Sequence, residues 1–324
     1  MSTLERPEAG LRRAKPAVID EVFASDVLAG LSKPQKELPC RWFYDTRGSE
    51  LFEAITGLPE YYPTKTEAKI LTACALELSG LAGPRVAMIE YGAGAAVKTR
   101  LLLDALEAPL YYAPVDISAA FLRGVAENLA REYPAIAMRP IIGNFLSDLE
   151  IPTELQTAQR RLGFFPGSTI GNLSDDEITA FFRRARRQLG EDGMLVIGAD
   201  LRKSPDILIP AYDDSAGVTA AFNKNLLARI NRELGGDFDL ERFSHKAVWN
   251  DADSRIEMHL VSDIAQSITL LGKSFDFAGG ESIHTENSRK FSVPGLQSLA
   301  EDCGWRPVRV WEDPQKLFSV QMFG

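Results

Sequence analysis

The chain has 324 residues, 45% hydrophobic and 25% charged, an ordinary globular balance with ample apolar material for a core. That length suits one large α/β domain with an accessory lobe. A formal net charge of −9 repels phosphate backbones and argues against nucleic acid as a partner.

Residues 1–19 read as a loose polar tail and 20–65 as a helical segment joining the accessory lobe. From about Pro84 strands and helices alternate. Residues 85–90 (RVAMIE) form a buried strand ending at Tyr91-Gly92-Ala93-Gly94, and a helix follows through Leu106. Residues 110–115 are the second strand. Ser118 can cap the next helix, whose apolar stripe is Phe121, Leu122, Val125 and Leu129. Strands follow at 137–142 and 161–165. Ser174 and Glu177 form a capping box that opens a helix ending near Gly190, and 194–199 is a fifth strand. This alternation predicts a parallel, Rossmann-like sheet with helices on both faces. The pattern then breaks. A helix over 215–234 carries Val218, Phe222, Leu226, Ile230 and Leu234, and Gly235-Gly236 ends it. Strand-like pieces at 255–261 and 267–271 follow, then a helix at 294–303 and strands at 308–311 and 318–322. Residues 66–200 and 286–324 are therefore expected to form the core, with 201–285 an inserted substrate-binding lobe.

Cys40, Cys74 and Cys303 are odd in number and form no C-x-x-C pair, which predicts reduced thiols in a cytoplasmic protein. His245, His259 and His284 are scattered, and no metal site is expected. No apolar run approaches the roughly 20 residues of a membrane span, and no apolar signal segment opens the chain.

A glycine turn between a strand and a helix lets the backbone approach a ligand closely and offers it free N–H groups. The dinucleotide fingerprint requires a third glycine where Val97 stands. Three details favour S-adenosylmethionine instead. Glu90 precedes the glycines. Asp116 follows the second strand, where a carboxylate can accept both ribose hydroxyls. Asn144-Phe145 follows the third, where an amide can meet an adenine edge and a ring can pack on it. Lys98 could pair with the methionine carboxylate. A methyl acceptor belongs at the fourth strand end, where Gly167-Ser168-Thr169-Ile170-Gly171-Asn172 makes a polar turn. Asn172 can both donate and accept hydrogen bonds. Trp42-Phe43-Tyr44-Asp45, Glu60-Tyr61-Tyr62, Tyr212-Asp213-Asp214 and His284-Thr285-Glu286-Asn287-Ser288 supply further aromatic and amide groups.

Over most of its length the chain resembles the histidine Nα-methyltransferases of ergothioneine biosynthesis. The runs that carry the resemblance are RWFYDTRGSELFEAITGLPEYYPTKTE (41–67), EYGAGAAVKTRLLLDAL (90–106), PVDIS (114–118), FPGSTIGNL (165–173), AYDDSAGVTAAFNKNLLARIN (211–231), RIEMHL (255–260) and IHTENSRKF (283–291). The resemblance implies a class I methyltransferase fold and trimethylation of free L-histidine to hercynine. It implies that Gly92, Gly94, Lys98, Asp116, Asn144 and Phe145 hold S-adenosylmethionine; the family often has aspartate where Asn144 stands. It implies that Asn172 and Tyr212 hold the substrate carboxylate and amine, and that Tyr44, Tyr62 and Gly167 line the amine pocket. Glu286 and Ser288 would bind the imidazole, with Met258 beside it. Tyr44 and Asn172 are the candidate catalytic residues. A monomer acting on a small molecule, with no membrane partner, is expected. Three rivals stay open: a methyltransferase for tryptophan or tyrosine, a nicotinamide dehydrogenase, and a catalytically silent S-adenosylmethionine-binding module.

Overall fold

The computed structural model describes residues 19–94 and 96–324. Residues 1–18 of the expected tail, Ala95, and the side chains of Ala120 and of Phe121 on the expected stripe lie outside the described residues. The central sheet runs, edge to edge, Pro307–Glu312, Phe318–Phe323, Met194–Asp200, Arg160–Phe165, Val86–Tyr91, Tyr111–Asp116 and Ala137–Met138, with Ile141–Ile142 also paired to Tyr111–Asp116. The strands from Met194–Asp200 onward are mutually parallel. Phe318–Phe323 is antiparallel to both neighbours. Val86–Tyr91 is buried along its whole length, as a strand covered on both faces must be. Two apolar clusters cover those faces, one around Phe165, Phe181 and Trp305, the other around Leu71, Tyr112 and Phe318. Chain order reverses at Val86–Tyr91, so a crevice opens at the carboxyl ends of the parallel strands.

The third strand, expected over 137–142, is two short pieces. Pro140 lies between them and has no N–H to donate to the ladder. The capping box is formed. Ser174 Oγ accepts from the Glu177 N–H at 3.3 Å, and the Glu177 carboxylate accepts from the Ser174 N–H at 2.9 Å. Helix Asp175–Leu189 follows, and Gly190 ends it at φ 78°. Ser174→Ala should cost about 1 kcal/mol, read as a melting point lower by roughly 2 °C in scanning calorimetry.

A second sheet, in the order Lys36–Glu37, Ser282–Arg289, Arg255–Ser262, Phe243–Asn250, forms the lobe. Along Arg255–Ser262, Ile256, Met258 and Leu260 face inward while Glu257 and His259 face outward. Helices Glu21–Leu31, Thr46–Gly57, Pro205–Tyr212 and Val218–Leu234 share one apolar cluster with this sheet, including Phe23, Phe43, Phe222, Leu226, Ile256 and Ile283. The segment before residue 65 thus packs with the lobe. The long helix begins at Val218 rather than 215, because Asp214 turns back to accept the N–H groups of Val218 (3.0 Å) and Thr219 (2.7 Å). The expected return to the core at 286 falls later. Ser282–Arg289 stays hydrogen-bonded to Arg255–Ser262, and the chain rejoins the core at Phe291, which bridges Leu201. Glu286 and Ser288 are therefore borne by the lobe sheet. Among the described residues no helix is long and apolar enough to cross a membrane.

Candidate active site

At the crevice, strand Val86–Tyr91 ends in Gly92 with φ 77°, a conformation that favours glycine. The N–H groups of Gly92 and Ala93 both donate to the Val115 carbonyl at 3.0 Å, pinning the loop to the neighbouring strand. A Cβ on Gly92 would touch the Phe145 ring at 3.7 Å, whereas one on Gly94 would meet nothing within 4 Å, so the loop faces open space there. Helix Val97–Ala105 starts behind it with no side-chain cap, which leaves its first-turn N–H groups to an anion. Phe145 is fixed edge-on against Phe165 (5.2 Å) and Phe181 (6.3 Å). Asp116, half-buried at its strand tip, accepts the Ser118 N–H at 2.8 Å, and burial raises its carboxyl above the ordinary range. The Asn144 carbonyl already accepts the Leu146 N–H at 2.8 Å, so its NH2 group is what it offers a purine ring nitrogen.

Two acids at this edge face inward. Glu90 accepts from the Thr99 hydroxyl at 2.8 Å and from the Tyr112 hydroxyl, and burial pushes its carboxyl up to about 7. It ties the glycine loop's strand to the helix behind it and is sealed from any ligand. Glu67, wholly buried on helix Tyr62–Ala82, is ion-paired with Lys98 and accepts the Gly167 N–H through both oxygens at 3.0 Å. Lys98, expected on the cofactor carboxylate, is thus tied to the acceptor turn as well; a Cβ on Gly167 would lie 3.5 Å from its Nζ. Glu67 went unseen in the sequence because a glutamate within a helix reads as a solvated one.

The other wall of the crevice comes from the lobe. A β-bulge between His284 and Glu286 leaves Thr285 as an extra residue. The bulge shifts the phase of the strand. Glu286 pairs with Met258 and Ser288 with Ile256, both inward, while Asn287 pairs with outward Glu257. Glu286 Oε1 accepts from Asn172 Nδ2 at 3.2 Å, which joins lobe to core. Burial pushes the Glu286 carboxyl up to about 7, against the opposing pull of Lys290 and Asn172. Tyr212 Oη lies 2.7 Å from Ser288 Oγ. Tyr44 keeps 44% of its surface open, set edge-on against Phe52 and Phe222. Burial of the hydroxyl end and the nearby Glu286 carboxylate raise its phenol well above the ordinary value, as expected of a group lining a concavity. Tyr62 is not a free lining group: its hydroxyl donates to Asp200 (2.8 and 2.9 Å) and accepts from Lys203 at 2.7 Å.

Asp200, Lys203 and Lys290 are further residues that sequence reasoning missed. Burial opposes ionisation of Asp200, but Lys290 and Lys203 outweigh it and hold the carboxyl below its ordinary value. Burial lowers Lys203 to about 8. One signal was present. Asp200 is the only charged residue in the otherwise apolar strand Met194–Asp200, at the edge where ligands gather. The burial of Cys40, with Glu286 and Glu177 nearby, pushes its thiol up to about 12, so it offers no thiolate. On the outer face of the lobe, Glu257, His259 and His284 bring ligand atoms within 4.8 Å of one another. The two rings stack at 4.9 Å, and Glu257 Oε1 accepts from Arg255 and Asn250 while its Oε2 lies 3.2 Å from His259 Nε2.

The strand order with its single reversed strand, the glycine loop and the carboxylate on the second strand tip define a class I S-adenosylmethionine-dependent methyltransferase. Residues 23–324 match the model of the family described as histidine-specific methyltransferase, SAM-dependent, and the chain belongs to that family. It is 42% identical to the histidine N-alpha-methyltransferase of Mycolicibacterium smegmatis, over 93% of this chain and 94% of that one. It is 41% identical to the Mycobacterium tuberculosis protein of the same name, over 92% and 93%. Ergothioneine biosynthesis protein 1 of Schizosaccharomyces pombe is 30% identical over 93% of this chain, which spans 40% of that protein.

Proposed function

We propose that the protein transfers three methyl groups in succession from S-adenosylmethionine to the α-amino group of free L-histidine, giving hercynine for ergothioneine biosynthesis. The observation that carries this reading is Glu286. It is a carboxylate raised to about 7 by burial, turned inward by the bulge and surrounded by Asn172, Ser288, Tyr212 and Tyr44, the donor and acceptor set an imidazole and an amino acid head require. The bound cofactor supplies a methyl carbon made electrophilic by its sulfonium. Gly92, Gly94, Asp116, Asn144 and Phe145 line the place for it. The open space at Gly94 and the uncapped helix fit an anionic, nucleoside-bearing group. Asn172 and Tyr212 hold the substrate carboxylate and amine; Glu286, Ser288 and Met258 hold the ring.

At each step a neutral nitrogen lone pair forms a bond to carbon as the carbon–sulfur bond breaks, so alignment and exclusion of water account for much of the rate. The first two products must each lose a proton before the next transfer. Tyr44, held protonated by its surroundings, relays that proton and does not store it. Tyr44→Phe should lower kcat by roughly 100-fold while leaving the histidine KM within about threefold; an unchanged kcat would remove Tyr44 from the relay. Mass spectrometry of the purified protein with S-adenosylmethionine and a mixture of free amino acids tests the whole reading. A trimethylated histidine is the expected product. Methylation of another amino acid would overturn the roles of Glu286 and Ser288, and cofactor binding without product would overturn the activity.

A further inference from the structure

Lys290 is a wholly buried lysine at the centre of the substrate wall. Its Nζ lies 2.8 Å from Asp200 Oδ2 and donates to Tyr212 Oη and Ser288 Oγ, each also at 2.8 Å. An ammonium has three protons and no acceptor, and these partners use all three. Tyr212 Oη and Ser288 Oγ are 2.7 Å apart, so one hydroxyl proton lies between them. Two hydroxyls carry two protons, which leaves the pair one proton to give a ligand. Burial and Asp200 raise the Tyr212 phenol well above its ordinary value, so it keeps its proton.

The phenol is the stronger donor of the two, and the proposed function sets it against the substrate carboxylate, the strongest acceptor in the ligand. Ser288 then gives its proton to Tyr212 and meets the imidazole only as an acceptor. The ring must offer Ser288 an N–H. Its other nitrogen faces Glu286 and shares a second proton with that carboxyl. Ring and carboxylate together then hold two protons; apart, at pH 8, they hold one, the N–H of neutral imidazole. We propose that Lys290 is a positioning residue that locks Ser288 and Tyr212 so that histidine is bound with one added proton, shared between its imidazole and Glu286. This rests on the site being the histidine pocket.

The charged or titratable groups facing Glu286 are Lys290, Cys40, Tyr44, Tyr61 and Tyr212, with the Asn172 amide. Burial holds the thiol at about 12 and raises the phenols, so neither the thiol nor the three phenols exchange a proton near pH 8. Lys203, at about 8, touches Asp200 and Tyr62 on the far side of Lys290.

The test is titration calorimetry of the full chain, saturated with S-adenosylhomocysteine, against the trimethylated betaine, which has no titratable amine to confuse the count. At pH 8, in two buffers of different ionisation enthalpy, the wild type should take up close to one proton, and its affinity should fall about tenfold per pH unit above pH 8. Lys290→Met and Ser288→Ala should each bind more weakly and lose most of that uptake. Ser288→Ala alters no buried charge and carries the test alone if Lys290→Met does not fold. A wild type that takes up no proton, or variants that take up as much as the wild type, would overturn the proposal. Failure of the wild type both to bind the betaine and to methylate histidine would instead overturn the histidine reading.

Discussion

Gly198→Ala should destabilise the protein by about 3 kcal/mol or more. Gly198 lies mid-strand in Met194–Asp200, where its backbone is ordinary and only space is at stake. A Cβ there would overlap Glu67 Oε1, sit 2.8 Å from Glu67 Cδ and press on Phe318 at 3.2 Å. Glu67 cannot step aside, because it is wholly buried, paired with Lys98 and bonded twice to the Gly167 N–H. One methyl group therefore either strains the sheet or separates a buried ion pair. Because Glu67 also anchors the acceptor turn, cofactor-dependent activity should fall with stability. Denaturant unfolding checks the first effect; a wild-type midpoint would mean that the carboxylate is not lodged against the glycine. Adding Glu67→Ala removes the overlapping carboxylate and should recover part of the loss.

Glu286→Ala should raise the histidine KM by about ten- to 100-fold, corresponding to ~1–3 kcal/mol for a ring nitrogen left without its partner. Tryptophan and tyrosine should be tolerated better than by the wild type. Unchanged histidine kinetics would remove Glu286 from the pocket. The conservative change has an opposite signature in stability. The folded Glu286 carboxyl is raised from 4.5 to about 7, so the folded protein holds a proton that the unfolded chain has released. The resulting destabilisation is absent below about pH 4.5, grows as pH rises to about 7 and is constant above that. Glu286→Gln, which carries no charge to bury, should therefore melt higher than the wild type at pH 8, with the gap closing toward pH 5. Equal melting points at pH 8 would mean that burial of this carboxylate is not costly. Function and stability pull in opposite directions at this one side chain.

Local rules made much of the fold legible. The alternation from residue 84 to 200, the capping box at Ser174 and the glycine stop at Gly235 are short-range signals, and the structure follows them closely. Helix Pro205–Tyr212 and strand Phe243–Asn250 were not legible, because their apolar faces are set by the lobe core rather than by a clean local period. The strand bearing Glu286 could not be assigned to the lobe from its own residues, since pairing with Arg255–Ser262 is a long-range fact. The same distinction holds at the site. Gly92, Gly94 and Asp116 announce themselves by position at strand ends. Glu67 and Lys290 do not, because their burial is recognisable only through the partners that folding brings to them.

The bulge at Thr285 makes the lobe strand a message read in two frames. Before it, odd-numbered Ile283 faces inward; after it, even-numbered Glu286 and Ser288 do. Drawing Thr285 into regular pairing with Met258, with no bulge, would rewrite the pocket wholesale, presenting Asn287 and Arg289 to the ligand and turning the carboxylate out to solvent. Acceptor choice in this protein therefore depends on spacing as much as on residue identity, and a pairwise comparison that slips by one position here would assign the right letters to the wrong face.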